Sequence, residues 1–317
     1  IVFRAVSTAP PVTSWFETVG GNRQEYASDV SSGSLYAVGS TRSFKAKGWD
    51  VFVAKFDNSG YLEQFQIFGG RRNDVAKAVE KGAGLYIGGD TSSFRAKRYA
   101  GFVAFYDDVE GVFNVKLVDS RGIDRVNDLA VNASGAQEYV YAVGLVNGRG
   151  RRGDAFIAKF DRYGGLQWAR VFGGRYFDEA IGVTIGDDGY VYVAGVTGRH
   201  RGEDVFLAKF AANGTLCWIK GFGTKKPEIL RGIAADSNGV YLTGQLLVKR
   251  SDPRIFIAKF SYFGSLDWFK VLNAGRIEDV GGIAANGPIY LTGTLRARGL
   301  LVYVAKLNPD GSLTYYK

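Results

Sequence analysis

An acidic residue recurs about every fifty residues along this chain. The copies are Glu25, Asp74, Asp124, Asp178, Glu228 and Asp279. Each stands at the start of an alternating apolar stretch such as Asp74-Val75-Ala76-Lys77-Ala78-Val79. Carboxylates gathered by a repeat offer two kinds of chemistry. Their hard oxygens can hold Ca²⁺ or a similar cation, and a matched pair can work as acid and base on a sugar. Glu25, Asp74, Asp124, Asp178 and Asp279 are the candidate cation ligands. A plainer reading is also open, in which each carboxylate accepts backbone N–H groups in its own turn or pairs with an arginine. Equivalent acids produced by repetition are a poor match for a differentiated acid/base pair. A second acid, at Asp50, Asp154 and Asp204, opens another recurring stretch and has the same plain explanation.

Other chemistry has little to work with. Nucleophilic triads need a histidine to carry the proton, and the sole histidine, His200, lies in Gly198-Arg199-His200-Arg201 with no Ser or Cys motif beside it. Zinc and haem sites call for several His or Cys ligands, and one chain supplies one of each. Cys217 cannot form an intrachain disulfide and is expected to pack as a small apolar residue. The recurring Gly-Gly pairs precede strands rather than helices, so they read as turns and not as phosphate loops.

Charge is the stronger surface signal. The net charge is +9, from 40 Lys and Arg against 31 Asp and Glu. Cations concentrate in one set of connections: Arg42, Lys45, Lys47; Arg95, Lys97, Arg98; Arg149, Arg151, Arg152; Arg199, Arg201; Lys249, Arg250; and Arg296, Arg298. Acids such as Asp107, Asp108, Glu110, Asp161, Asp187, Asp188 and Asp310 fall in the opposite set. Three readings follow. A basic face opposite an acidic one favours head-to-tail self-association. A basic face can bind a polyanion such as an acidic polysaccharide or lipid head groups. An ion-paired, heat-adapted surface needs no partner at all. Nucleic acid ranks low, because aromatics accompany the cations only at Phe44, Phe94 and Tyr99.

The elements that carry these residues are short strands. Val51-Phe52-Val53-Ala54-Lys55-Phe56 recurs as Ala155 to Phe160, Val205 to Phe210 and Ile255 to Phe260, with weaker copies at Gly101 to Tyr106 and Val302 to Leu307. A second stretch ends in glycine six times, from Leu35 to Gly39 through Ile289 to Gly293. With 44 Gly, 18 Tyr and 22 Phe, the pattern is many strands joined by tight turns. Each repeat reads as four strands, a to d, covered on both faces by its neighbours, which is the logic of a β-propeller blade. The prediction is a single all-β domain over residues 1–317: a six-bladed β-propeller of four-stranded antiparallel blades, with seven blades as the alternative. Strand d carries an aromatic seven times, at Trp15, Phe65, Phe113, Trp168, Trp218, Trp268 and Tyr315. Residues 2–21 align without a gap on residues 51–70, so there are seven outer c–d hairpins for six inner a–b hairpins. Residues 1–19 are expected to supply a surplus outer strand that pairs in the last blade, closing the ring, or in a neighbouring molecule.

The pattern Asp-x-Phe-x-Ala-Lys-Phe-Asp, Gly-x-Leu-x-Trp, Phe-Gly-Gly, Asp-x-Ala and Val-Tyr-Val-x-Gly-x-Thr, best seen from Asp154 to Thr197, resembles the bacterial and archaeal SBBP β-propeller repeat. The likeness extends over essentially the whole chain. It implies an interaction or structural module without shared catalytic residues, in an extracellular or cell-surface protein. The family's name anticipates seven blades. Asn132-Ala133-Ser134 and Asn213-Gly214-Thr215 match the glycosylation sequon, which leans the same way. The chain holds no Met and starts at Ile1, which raises the expectation of a removed precursor segment; no apolar run is long enough for a spanning helix. The expected function is structural or adhesive and non-enzymatic, by self-assembly or by binding an anionic surface. The alternative is a carbohydrate-binding or lyase-type propeller acting through the recurring acids.

Overall fold

A computed structural model of the chain describes residues 3–6, 15–31, 35–107, 111–120, 122–134, 137–147, 153–199, 202–249, 252–272, 277–296 and 300–316. The protein is an all-β, six-bladed propeller. A separate hairpin comes first, β1 (Phe3–Val6) and β2 (Trp15–Thr18). Blade 1 is β3 (Glu25–Ser31), β4 (Leu35–Thr41), β5 (Asp50–Phe56) and β6 (Leu62–Phe68). Blade 2 is β7 (Asp74–Lys81), β8 (Leu85–Thr91), β9 (Ala100–Asp107) and β10 (Val112–Val118). Blade 3 is β11 (Arg125–Ser134), β12 (Gln137–Val146), β13 (Asp154–Asp161) and β14 (Leu166–Phe172). Blade 4 is β15 (Asp178–Ile185), β16 (Val191–Arg199), β17 (Gly202–Phe210) and β18 (Leu216–Phe222). Blade 5 is β19 (Glu228–Asp236), β20 (Gly239–Lys249), β21 (Asp252–Phe260) and β22 (Leu266–Leu272). Blade 6 is β23 (Ile277–Ala285), β24 (Ile289–Arg296), β25 (Leu300–Leu307) and β26 (Leu313–Tyr316). In every blade the strands lie side by side in chain order, a to d. The chain divides into two compact units, Ile1–Ala142 with Val146–Arg149 and Phe160–Gln167, and Val143–Leu145 with Gly150–Lys159 and Trp168–Lys317.

The glycine that ends strand b has a steric cause. In blade 4, Gly195 pairs with Ala180 of strand a, where the register slips before Gly182, and with Phe206 of strand c. A Cβ on Gly195 would lie 2.2 Å from the Glu179 carbonyl oxygen and 2.4 Å from the Phe206 ring. Gly39, Gly89, Gly244 and Gly293 repeat this crowding against Tyr26, Val75, Ile229 and Asp279. A bulge on strand a thus folds its backbone over a slot that only glycine leaves open.

At three junctions a blade buries its apolar side chains against the next one in sequence. Tyr36, Val38, Val51 and Val53 of blade 1 pack with Ala76, Val79, Leu85 and Ile87 of blade 2. Tyr192, Val205 and Leu207 of blade 4 pack with Leu230, Leu242 and Phe256 of blade 5, and Tyr241, Ile255 and Ile257 with Ile277, Val280 and Tyr303 of blade 6. Burial on both faces explains the near-continuous apolar runs of strands b and c.

Four expectations need correction. The edge of blade 6 is held by β26, where Leu313 pairs with Leu307 and Tyr315 with Lys306, and not by the N-terminal strand. A short turn closed by Gly311 N–H to the Asn308 carbonyl delivers β26 locally, at far lower closure entropy than a segment from the other end of the chain. Strands β1 and β2 pair with each other instead. Phe3 meets Thr18 and Ala5 meets Phe16, the register in which Phe52 meets Ile67 and Ala54 meets Phe65 in blade 1. The N-terminal segment is therefore the outer half of a blade.

The aromatic register of strand d is the second correction. Trp218, Trp268 and Tyr315 do occupy one position, opposite Lys209, Lys259 and Lys306. Gln64 holds it in blade 1, opposite Lys55, so Phe65 is one place on. Asn114, opposite Phe105, holds it in blade 2, so Phe113 is one place early. Third, Cys217 is exposed, because strand d is the outermost strand and turns alternate residues outward. Fourth, the b–c connections of blades 4 and 5 are not long loops. There the strands themselves run on, to Arg199 opposite Gly202 and Lys249 opposite Asp252.

Candidate functional site

The recurring acids at the start of strand a are turn anchors. Asp74 Oδ2 accepts the Gly70 N–H at 2.7 Å and Oδ1 accepts the Thr91 hydroxyl. Asp178 Oδ2 accepts the Gly174 N–H, and Glu228 Oε1 the Thr224 N–H, both at 2.7 Å. Asp124 takes the Ser120 hydroxyl at 2.6 Å and the Asn147 N–H at 2.9 Å, and Glu25 takes the Thr41 hydroxyl at 3.0 Å. In four blades the N–H donor stands four residues before the acid, so each carboxylate closes its own d–a turn. Asp279 is not one of the set. The position that Asp178 holds opposite Thr197 is held in blade 6 by buried Ile277 opposite Leu295. Asp279 accepts instead from Arg231 Nε at 3.0 Å and from Gln245. Among the described residues no three His, Cys, Asp or Glu side chains come together as a metal cluster.

What the structure brings together instead is pairs. The Asp74 N–H donates to the Trp49 carbonyl and the Asp178 N–H to the Gly153 carbonyl, which sets each strand-a acid beside the acid that opens strand c of the preceding blade. The pairs are Asp50 with Asp74, Asp154 with Asp178, and Asp204 with Glu228. Burial and then the Asp74 charge push the Asp50 carboxyl up to about 6, and the same two causes raise Asp154 beside Asp178. A further pair lies on the innermost strands of blades 1 and 2. Asp29 accepts the Val79 N–H at 2.8 Å, and burial followed by the Asp29 charge pushes Glu80 up to about 7. The two recurring acids stand in the same order in each repeat, but their meeting across a blade junction has no local sequence signal.

The basic connections divide into two kinds. In blades 1 and 2 the segments Thr41-Arg42-Ser43-Phe44-Lys45-Ala46-Lys47 and Thr91-Ser92-Ser93-Phe94-Arg95-Ala96-Lys97 fold alike. Ser43 and Ser93 each take the N–H of Arg23 or Arg72 on the hydroxyl and donate their own N–H to Thr41 or Thr91. Phe44 and Lys45 have φ of 53° and 69°, and Phe94 and Arg95 of 49° and 64°, a left-handed doublet rare for side-chain-bearing residues. The doublet holds Arg42, Lys45, Lys47, Arg95, Lys97 and Arg98 in exposed positions. In blade 6, Arg296 is committed to Glu278, with two nitrogens on two carboxylate oxygens at 2.8 Å. Arg199 and Lys249 end their strands. Arg149, Arg151, Arg152, His200, Arg201, Arg250 and Arg298 lie outside the described residues.

Two clefts accompany these features. One of about 510 Å³ on blade 4 is mainly apolar, lined by Phe172, Phe206, Leu216 and Ile219. The other, about 430 Å³, joins Glu138, Tyr139, Asp161, Arg162, Tyr163 and Gln167. There Arg162 lies 4.6 Å over the exposed Tyr163 ring, while Asp161 is consumed by the Tyr163 and Gly165 N–H groups. Asn132 lies on β11 near its turn, and Asn213 sits on the turn before Thr215, whose N–H its Oδ1 accepts at 3.0 Å.

Neither a protein-family model nor a curated protein sequence matches the chain. Solved structures are similar to it over nearly its whole length. Sqt1 from Chaetomium thermophilum is 12% identical, over 93% of this chain and 72% of its own, with a TM-score of 0.54. A puromycin hydrolase mutant complexed with PGG is 12% identical at a TM-score of 0.55, and 96% of this chain spans about half, 49%, of that protein. The periplasmic gluconolactonase of Pseudomonas aeruginosa is 11% identical over 91% of this chain and 83% of its own, with a TM-score of 0.54. At this identity the likeness establishes the propeller fold alone. Among the described residues no helix is long and apolar enough to cross a membrane.

Proposed function

We propose that this protein is a non-enzymatic structural or adhesive propeller at the cell surface or outside the cell, and that it assembles with copies of itself head to tail. The supporting observation is an uncovered blade face. Val205 and Ile255 are fully buried against the following blade, and their equivalent in blade 6, Val302, is 76% exposed. Tyr290 and Val304 of the same face are exposed too, where Tyr241 and Ile257 are fully buried. The opposite face of blade 1 is uncovered in the same way: Val30 is 61% exposed, against 2% for its blade 2 equivalent, Val79. These two kinds of face are partners at the junctions of blades 1 and 2, 4 and 5, and 5 and 6. The blade 6 kind of face in one copy is complementary to the blade 1 kind in another, a heterologous contact that propagates where it does not close. The half-blade hairpin β1–β2 adds an open strand edge suited to strand addition. The SBBP-like repeat pattern supports the same kind of role.

Size-exclusion chromatography with light scattering tests this over a wide protein concentration range. Wild type is expected to associate as concentration rises, and Val302→Lys or removal of residues 1–19 to weaken association. A monomer at every concentration overturns the reading.

A second reading rests on the basic segments of blades 1 and 2. Among the described residues, Arg42, Lys45, Lys47, Arg95, Lys97 and Arg98 take part in no ion pair, and all six are exposed. Exposed cations outside any ion pair suit an acidic polysaccharide or another anionic surface. Binding to an immobilised acidic polysaccharide that falls steeply with salt supports it; a flat salt response removes it.

A further inference from the structure

We propose that the carboxylate pairs at the blade junctions, Asp50 with Asp74 and Asp204 with Glu228, each hold one hard divalent cation of the calcium kind. This differs from a single ring of acids: each site is a pair built across one junction.

The first support is an orphaned oxygen in each pair. Asp50 is 8% exposed and Glu228 is fully buried, and neither Asp50 Oδ1 nor Glu228 Oε2 has a hydrogen-bond partner. Buried carboxylate oxygens without a donor are rare, because desolvation is then uncompensated. The other oxygen of Glu228 is held by the Thr224 N–H at 2.7 Å, so the free one is aimed by its own turn.

The second support is shape. Asp204 Oδ1 and Glu228 Oε2 both lie within 3.4 Å of the point where Gly223 would carry a Cβ. At the other pair, a Cβ on Gly69 would lie 2.4 Å from Asp50 Oδ1. Glycine leaves a cradle beside each pair that any side chain would fill. Backbone carbonyls of such a turn are the neutral oxygens that calcium takes along with carboxylates.

The third support is charge. Two carboxylates meet at each junction, and among the described residues no Lys or Arg side chain pairs with Asp50, Asp74, Asp204 or Glu228. A divalent ion neutralises both at once. The arrangement arises at two separate junctions; among the described residues, Asp154 beside Asp178 repeats the pairing without a buried orphaned oxygen.

The test uses the full chain stripped with EDTA and then titrated with Tb³⁺ at neutral pH, exciting tryptophan. Trp49 precedes Asp50 and its carbonyl accepts the Asp74 N–H, so it is a built-in sensitiser for that site. Sensitised emission displaced by Ca²⁺, and reduced at least tenfold in Asp50→Asn, is expected. Calcium should also raise the thermal midpoint, and Asp204→Asn or Glu228→Gln should remove part of the rise. If Asp50→Asn fails to fold, the half-exposed Asp204→Asn carries the test alone. Emission and midpoint shifts unchanged in all three variants overturn the proposal, since the ion then sits elsewhere. A midpoint that ignores Ca²⁺ also overturns it.

Discussion

The indole of Trp168 on strand d of blade 3 lies against Gly214 in the c–d turn of blade 4. Its Nε1–H donates to the Ala212 carbonyl at 3.1 Å, and a Cβ on Gly214 would fall 2.8 Å from the ring. The ring-against-glycine contact recurs with Trp218 under Gly264 and Trp268 under Gly311, although the buried Trp268 Nε1–H has no acceptor among the described residues. Each of these glycines has a positive φ, between 75° and 82°. The recurring aromatic and the recurring turn glycine are thus one device, repeated at successive junctions. Gly214→Val would meet both the ring and a strained backbone. It is expected to destabilise by about 2–4 kcal/mol, read as a lower urea midpoint with an unchanged slope.

The strand-b glycines are under tighter constraint. Gly89→Ala would put a methyl carbon 2.0 Å from the Val75 carbonyl oxygen, and backbone has little room to yield. A loss of more than about 3 kcal/mol, or failure to fold, is expected from overpacking of this kind. Circular dichroism of the purified variant checks it.

Equivalent positions in different blades should respond differently to one substitution. Val205→Lys buries an unpaired ammonium and should cost at least about 3 kcal/mol. Val302→Lys places the same charge in water and should change the stability of the isolated chain by less than about 0.5 kcal/mol. Equal losses would show that the blade 6 face is covered in solution.

Acidity should stabilise this protein in chelator over part of the pH range. Glu80 is pushed up to about 7 and Asp50 to about 6 in the folded state, above their ordinary values near 4. A raised carboxyl pKa means the folded chain binds the proton more tightly than the unfolded chain. Stability from these two groups is therefore full below the unfolded values and is lost as pH rises through about 6 to 7. The thermal midpoint should rise on going from pH 7.5 to 5, and Glu80→Gln should flatten that rise.

The basic segments should act as a set. Replacing Lys45, Lys47, Arg95 and Lys97 by Gln should lower affinity for an acidic polysaccharide and reduce the salt slope, with the urea midpoint within about 0.5 kcal/mol of wild type. An unchanged slope would move the anion-binding reading away from these loops.

Periodic features were legible in the sequence, and one-residue distinctions were not. The c–d hairpin register of residues 2–21 followed from a gapless alignment, and the hairpin pairs in that register. Asp279 matches the other recurring acids in chemical type, but blade 6 puts Ile277 at the equivalent place. Phe65 and Phe113 match the strand-d aromatics in type, yet they stand one place to either side of the position. A strand exposes alternate residues, so an error of one place exchanges the two faces. The extension of strands b and c in blades 4 and 5 was hidden because Arg, His and Glu are as compatible with an exposed strand end as with a loop.

The sequence by itself determined the unit. Its period, its alternating apolar runs and its turn glycines require four short strands covered on both faces, and that requirement is local. Only the tertiary structure decided which acids meet and which aromatic is clasped by which turn. Those are properties of junctions, where residues about fifty apart approach one another. A repeating sequence writes the same residues at every junction, and only packing decides where a junction finds its partner.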